Sequence, residues 1–283
     1  MCAHKARAIR TVSFESGGEI GLTIIINISS PNHYIIFNHS SIMSSIIESV
    51  EWGKPALKLL SQCKQLDPNQ PVVMHIRHTE RPKEEPGSLD VYKIISTERG
   101  KQAAREFGAS LPSSRSYRLY HTYMDRTKET AENIHKGILT SEGSSKIIGS
   151  VPLTSTIDRN GWTYHVRRES EMDSDSPLSL RVFMKWISNH YPPWLRVPAI
   201  DFSQRGAALT MKNLSAAEAH TFDIYVSHEN TCAVFLLYWF GIMPDERWIG
   251  FLDGFIMQLT EERLHVYTKD GKKEAYYPYW WNF

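Results

Sequence analysis

The fold is decided at residues 72–82, where the sequence reads VVMHIRHTERP. Three of its first five residues are β-branched, and a short apolar run of this kind is typical of a buried strand. Further strands are predicted at 116–123 and 222–227. Helices are predicted between and after them, at 97–107 (N-cap Thr97, C-cap Gly108), 127–138 and 232–243. Strands that alternate with helices indicate an α/β protein with a largely parallel sheet.

The two ends of the chain have a different pattern. Residues 254–259 and 264–268 look like antiparallel strands, and the turn at 269–272, KDGK, contains the Asp-Gly pair that is typical of a hairpin. Near the beginning, the β-branched residues at 20–27 and the run at 34–37 predict another hairpin.

Proline, asparagine and aspartate mark a boundary in the first third of the chain. Residues 41–60 predict a helix, and a loop at 67–71, DPNQP, follows it. We therefore expect an N-terminal addition at 1–70, made of a hairpin and a helix and packed on a catalytic domain at 71–283. Within that domain, the irregular stretch at about 140–220 is expected to be an insertion over one end of the sheet.

Composition narrows the class of protein. The chain has 283 residues, of which 41% are hydrophobic, and this content excludes disordered and low-complexity classes. Lys and Arg total 32 against 31 Asp and Glu, so the summed positive field of a general nucleic-acid binder is absent. The longest apolar run, at 232–243, is too short to cross a bilayer, and the N-terminus does not resemble a secretory signal. We expect a cytoplasmic enzyme that binds neither nucleic acid nor membrane.

The charged residues that follow the first strand of the α/β region suggest chemistry. Arg77 and Arg81 flank His78 at the end of a strand, where burial of unpaired cations would be costly, so an anion is their natural partner. Two N–H groups of one guanidinium can bond two oxygens of a phosphate, and a neutral imidazole can attack phosphorus. An exposed loop with ordinary charges explains the hexapeptide equally well at this point.

Four segments in order resemble one family. Arg77-His78-x-x-Arg81 is similar to the first motif of the histidine phosphatase superfamily. The added Arg81 and Pro82 resemble the form of this motif in the acid-phosphatase branch. The likeness extends over about residues 71–270. The other three segments are STERGKQAAREFG at 96–108, YMDRTKETA at 123–131 and YVSHENT at 225–231. The closing strands, FLDGFIMQLTEERLHVYTKDGK at 251–272, are also similar to those of the branch.

This resemblance implies a fold and a reaction. The fold is a phosphoglycerate mutase-like α/β three-layer sandwich with a mostly parallel central sheet and helices on both faces. The reaction is hydrolysis of a small-molecule phosphomonoester through a phosphohistidine, with no cofactor and no metal. His78 would be the nucleophile, and Glu229 the general acid and then base. The phosphate would be held by Arg77, Arg81, Arg126 and His228.

Three positions differ from the family pattern. Thr79 stands where the family usually has Gly, Glu229 where the branch usually has Asp, and Pro82 follows Arg81 directly. Thr79 keeps open a phosphoester-binding or regulatory protein with weak or no catalysis, and a phosphomutase of the same fold is a further alternative. The sequence identifies neither the substrate nor the oligomeric state.

Other candidate residues have simpler explanations. Cys232 lies four residues after His228, but its apolar surroundings favour a buried structural thiol over a Cys–His nucleophile. His75 precedes His78 by three residues, so strand alternation places the two side chains on opposite faces, which disfavours a metal site. The three cysteines are too scattered for a disulfide framework or a zinc site. The aromatic tail at 276–283 is best explained by packing on the core, with a partner contact as the alternative.

Overall fold

The computed structural model describes residues 45–82, 93–171, 178–243, 248–260 and 263–277, together with the strand backbone at 7–12, 21–27 and 34–40. The chain forms two compact units, residues 1–44 and residues 45–283. The division therefore falls before residue 45, whereas the sequence suggested a boundary near 70.

The first unit contains a three-stranded antiparallel sheet in the order β1-β2-β3. Its strands are β1 (Arg7–Val12), β2 (Gly21–Asn27) and β3 (Tyr34–Ser40). The predicted hairpin is confirmed by the pairing of β2 with β3, in which Asn27 lies opposite Tyr34. The turn between these strands lies outside the described residues, and β1 was not predicted.

The second unit contains the remaining helices and strands. In chain order they are α1 (Ile46–Ser49), α2 (Gly53–Gln62), β4 (Val72–Arg77), α3 (Glu98–Ala109), β5 (Ser116–His121), α4 (Asp125–Thr140), β6 (Ser144–Ser150), α5 (Arg159–Ser170), α6 (Leu178–Ile187), α7 (Ala199–Ser215), β7 (Thr221–Ser227), α8 (Glu229–Phe240), β8 (Gly254–Leu259), β9 (Leu264–Thr268) and β10 (Gly271–Ala275). A 3-10 turn, Cys63–Gln65, follows α2.

Seven strands form the main sheet in the order β10-β9-β8-β4-β7-β5-β6. The neighbours β4, β7, β5 and β6 are parallel, as the alternation of strands and helices predicted. The last three strands form an antiparallel meander that joins β4 through β8, and the predicted Asp-Gly hairpin connects β9 to β10. The sheet as a whole is therefore mixed, and its parallel half consists of β4, β7, β5 and β6.

Helices cover both faces of this sheet, as predicted. Val72, Met74 and Ile76 of β4 pack in one hydrophobic core with side chains of α2, α3 and α4. Val73, which points the other way, packs in a second core with side chains of α6, α7 and α8. The second unit is thus the expected three-layer α/β sandwich.

The helix predicted at 41–60, with an interruption near residues 53–55, corresponds to α1 and α2. Residues 45–70 contain α1 and α2, whose Ile47 and Leu59 enter the same core as α3, so this stretch is part of the large unit. Where the structure describes the stretch at 140–220, it contains one strand and three helices, so this stretch is more regular than the sequence suggested. In α7, Gly206 lies so close to the ring of Phe235 that a Cβ would come within 2.2 Å of it. The extents of a catalytic domain at 71–283 and of an insertion within it stay predictions.

The longest helix of the second unit is α7, with 17 residues. Across the described parts of the chain, no helix combines the length and apolar character that crossing a membrane requires.

Candidate active site

Three parallel strands end at one edge of the sheet, and the candidate residues follow these ends. His78 comes directly after β4, His228 directly after β7, and Thr122 directly after β5. The backbone N–H of His78 donates to the carbonyl of Ser227 at 3.0 Å, which joins the first two ends. Ligands in open α/β sheets bind at this carboxyl edge.

His78 is held as a neutral imidazole in a defined tautomer. Its side chain is only 1% exposed, and its Nδ1 lies 2.7 Å from the carbonyl oxygen of Thr79. Since a carbonyl can only accept, Nδ1 carries the proton and Nε2 keeps a lone pair. Burial, reinforced by the charge of Arg126 and by His228 and Arg77, holds the pKa of His78 well below its usual value.

His228 is a second neutral imidazole beside the first. The ring centroids of His78 and His228 are 5.5 Å apart, and Nε2 of His228 lies 3.3 Å from the hydroxyl of Thr122. Burial is the main cause that lowers the pKa of His228, and the charges of Arg126, Arg77 and Arg81 lower it further.

Arg77, Arg81 and Arg126, here called the arginine cluster, surround these imidazoles. Arg126 lies in the first turn of α4 and is 8% exposed, and its Nε donates to Nε2 of His78 at 3.1 Å. Arg81 is half-buried, and its Nη1 donates to the carbonyl of Pro82 at 3.2 Å. Three guanidinium groups around two neutral rings attract a dianion such as phosphate.

Arg77 is fixed on several sides. Its Nε lies 2.8 Å from Oε2 of Glu229, the first residue of α8, and its Nη1 donates to the carbonyl of Ile249 at 2.8 Å. The guanidinium carbon stands 4.4 Å from the centre of the Phe251 ring, within the range of a cation–π contact. Glu229 therefore lies next to the arginine cluster.

The structure brings together all six residues that the sequence singled out: Arg77, His78, Arg81, Arg126, His228 and Glu229. Sequence reasoning missed Thr122 and Phe251. The sequence predicted a strand at 116–123, which includes Thr122, but β5 ends at His121. Because the predicted strand was two residues too long, the sequence did not place Thr122 at the strand end where ligands bind. Phe251 has no local signal, because it reaches Arg77 through the pairing of Arg77 with Leu252 and Asp253.

The alternative candidates lie elsewhere. Cys232 is fully buried, and burial raises the pKa of its thiol to about 12, which disfavours the reactive thiolate. His75 packs between the rings of Tyr225 and Phe255 on the other face of β4. Within the part of the chain that the structure describes, no three His, Cys, Asp or Glu side chains form a group suited to a metal ion.

Comparison with other proteins gives matches among solved structures. No family model matches the chain, and no curated protein matches it either. A phosphoglycerate mutase from Bacillus anthracis matches with a TM-score of 0.49 at 14% identity, over 74% of this chain and 93% of that one. A putative alpha-ribazole-5'-P phosphatase from Escherichia coli matches with a TM-score of 0.45 at 17% identity, over 74% of this chain and 96% of that one.

A phosphoserine phosphatase variant from Entamoeba histolytica, in complex with phosphoserine, matches with a TM-score of 0.43 at 14% identity. That match covers 74% of this chain and 98% of the other. At 14% to 17% identity and TM-scores below 0.5, these similarities do not indicate what this chain does, so its function has to be argued from its own side chains.

Proposed function

We propose that this chain is a histidine phosphatase, similar to the acid-phosphatase branch, that hydrolyses a small-molecule phosphomonoester through a phosphohistidine. The observation that supports this most is the neutral His78, whose Nδ1–H bonds to Thr79 while Nε2 faces Arg126 of the arginine cluster. An imidazole in this state has a lone pair for attack on phosphorus, and the guanidinium groups can hold the oxygens of the phosphate.

In the first step, Nε2 of His78 attacks phosphorus and the ester P–O bond breaks. Arg77, Arg81, Arg126 and His228 bind the non-bridging oxygens and balance their charge in the transition state. The Nε–H of Arg126 now lies against Nε2 of His78, so binding of phosphate must turn this donor to a phosphate oxygen. The leaving oxygen takes a proton from Glu229 and departs as an alcohol.

In the second step, water attacks the phosphohistidine, and the N–P bond breaks. Glu229, left ionised by the first step, accepts the proton of the water, and His78 returns to its neutral form with release of inorganic phosphate. The cycle consumes one water and regenerates both residues. It is proposed to require no divalent ion, because the arginine cluster supplies the positive charge.

The contact between Arg77 and Glu229 connects substrate binding with acid catalysis. The Nε of Arg77 lies 2.8 Å from Oε2 of Glu229, so a guanidinium that would hold a phosphate oxygen also holds this carboxyl group in place. A bound phosphate would compete with Glu229 for the N–H groups of Arg77, and the released carboxyl group could then reach the leaving oxygen.

The test is a panel of phosphorylated metabolites, sugars, nucleotides and phosphopeptides, scored for phosphate release. His78→Ala should lower turnover by at least about 1000-fold and abolish the acid-labile phosphoenzyme. His220→Ala, which changes an exposed histidine just before β7 at the opposite end of that strand, is the matched control and should retain activity.

Normal turnover in His78→Ala would refute the proposal. Regeneration of a phosphorylated isomer in place of free phosphate would identify a phosphomutase. Binding of phosphate without any phosphoenzyme in the wild type would identify a phosphoester-binding protein.

A further inference from the structure

Two buried residues between His78 and Arg81 have no role in the steps above. Thr79 is fully buried and Glu80 is 9% exposed, and both bond to the beginning of α3. We infer that Thr79 and Glu80 are positioning residues, which tether the loop at residues 78–81 to α3 and so fix the orientation of the His78 ring. This inference rests on the proposed function, in which that ring is the nucleophile.

Thr79 connects the ring to two helices. Its hydroxyl donates to the carbonyl of Gly100 in α3 at 2.8 Å, and its backbone N–H donates to the hydroxyl of Thr130 in α4 at 3.1 Å. Thr130 in turn donates to the carbonyl of Arg126 at 2.7 Å. The carbonyl that accepts from Nδ1 of His78 is that of Thr79 itself. The bonds from Thr79 to Gly100 and Thr130 therefore hold in place the residue whose carbonyl orients the imidazole.

Glu80 makes the second attachment. Its carboxylate accepts from the hydroxyl of Thr97 at 2.7 Å and from Nε of Arg99 at 2.9 Å, and its carbonyl accepts from the N–H of Thr97 at 3.0 Å. The hydrogen bond from Arg99 is the main cause that lowers the pKa of Glu80. An ionised carboxylate held in this way suits an anchor, and it does not suit a proton donor.

The loop and the helix approach each other closely. A Cβ at Gly100 would lie 2.6 Å from the carbonyl oxygen of Glu80, so only glycine allows this distance between α3 and the loop. At this distance the hydroxyl of Thr79 reaches the carbonyl of Gly100. A glycine at position 79 would lack that hydroxyl, so the threonine adds a bond to the loop.

The tether predicts a specific kinetic change. Loss of the Thr79 hydroxyl should let the His78 ring reorient, which slows attack on phosphorus, while the arginine cluster still binds phosphate. We expect Thr79→Val, which keeps the shape, to slow phosphoenzyme formation in a single turnover by about 10-fold. Inhibition by inorganic phosphate should stay within about 2-fold of wild type, and Thr79→Ser, which keeps the hydroxyl, should restore the rate.

A spectroscopic readout tests the same claim without turnover. The Nδ1–H of His78 should give a slowly exchanging imidazole signal in wild type and in Thr79→Ser, and should exchange faster in Thr79→Val. Thr210→Val is the matched control, because it removes a buried hydroxyl that lies 3.2 Å from His75 in the other layer. It should change neither the rate nor the signal of His78.

Each outcome has one meaning. Wild-type rate and exchange in Thr79→Val would overturn the tether, as would equal losses in Thr79→Val and Thr210→Val, which indicate a general loss of packing. A wild type that forms no phosphoenzyme would overturn the proposed function instead, and the exchange of Nδ1–H would still decide whether Thr79 positions the ring.

Discussion

His75 and His78 are three residues apart, and both are buried and neutral, but only His78 has charged neighbours. His75 stacks on Tyr225 and Phe255, with ring centroids at 4.7 and 5.3 Å, and burial alone lowers its pKa to about 3. His78 faces the arginine cluster, and the charges of Arg126 and Arg77 add to the effect of burial on its pKa.

The difference decides which histidine can respond to a ligand. Aromatic packing around His75 is part of the core, so its neutral state persists as long as the protein is folded. Positive charge around His78 and His228 can be compensated by a bound dianion. Burial keeps all three rings neutral, but only His78 and His228 have arginine neighbours whose charge a bound phosphate would compensate.

Among the variants that keep His78, the largest expected effect concerns Glu229, the proposed acid beside the arginine cluster. Glu229→Gln should slow hydrolysis of alkyl phosphates by about 100-fold or more, because a departing alkoxide needs a proton. Phosphoenzyme formation from p-nitrophenyl phosphate should suffer far less, since that leaving group departs as an anion. Rapid-quench measurement of the phosphorylation step with both substrates makes the comparison.

Equal losses for the two substrates would show that Glu229 is structural. The acid would then have to be sought at Asp125, which is exposed in the first turn of α4, because the carboxylate of Glu80 is bonded to Arg99 and Thr97. Asp125→Asn would be the next variant to measure.

His75 should affect stability at low pH and leave catalysis intact. Above pH 6.5 the His75 ring is neutral in both the folded and the unfolded chain, so its titration costs no stability. As the pH falls from 6.5 towards 3, only the unfolded chain takes up the proton, and stability is lost. At pH 5 this loss is about 2 kcal/mol, or about 30-fold in the unfolding equilibrium.

Urea unfolding of wild type and His75→Phe at pH 7 and pH 5 measures this loss. The drop between the two pH values should be smaller in His75→Phe by about 2 kcal/mol, since phenylalanine does not titrate. An identical drop in both proteins would show that His75 is already charged in the folded state.

Arg126 tests whether the arginine cluster acts by shape as well as by charge. Arg126→Lys keeps the cation but loses the planar pair of donors, and it should lower kcat/KM by about 10-fold or more. An unaltered kcat/KM would mean that Arg126 does not bind phosphate, and that its contact with His78 is only structural.

Phosphate should change the protonation of one histidine and spare the other. A bound dianion compensates the arginine charges that lower the pKa of His228, so the pKa of His228 should rise when inorganic phosphate is added. The pKa of His75 should stay low. Imidazole NMR titrations with and without phosphate measure both, and a matching response of the two rings would contradict the distinction drawn between them.

The last prediction is that removal of divalent ions has no effect on activity. Dialysis against a chelator should leave hydrolysis unchanged, because the arginine cluster provides the charge that a metal would supply. Activity that disappears and returns with magnesium or zinc would argue strongly against the phosphohistidine reaction. Addition of calcium alone serves as the control for nonspecific effects of a divalent ion.

Local sequence patterns predicted where helices and strands lie better than they predicted why a single residue occupies its position. Thr97 is the N-cap of α3, as expected, and its hydroxyl accepts from the N–H of Gly100. Gly108 was expected to end that helix, but α3 continues to Ala109. A Cβ at Gly108 would lie 2.2 Å from the carbonyl oxygen of Ile134, so the glycine permits close packing of α3 on α4. Such a contact between helices leaves no local signal.

The same limit applies to the candidate site. The sequence placed His78 and Arg126 in motifs beside a predicted strand and a predicted helix, and the structure brings these two side chains together. The ring of Phe251 under Arg77 was not, since it depends on a pairing between residues far apart in sequence. The stretch at 140–220 was expected to be irregular, yet α6 buries Val182, Phe183 and Trp186 on one helical face.

The place of β7 in the sheet has a consequence for folding order. β7 lies between β4 and β5, although it follows them in the chain by about a hundred residues or more. The ends of β4 and β5 therefore acquire their shared neighbour only after residue 227 has been synthesised. Contacts this distant in sequence form slowly, because a long loop must close first. A growing chain thus carries His78 and Arg126 long before it can hold them together, and anion binding should begin only when β7 is inserted.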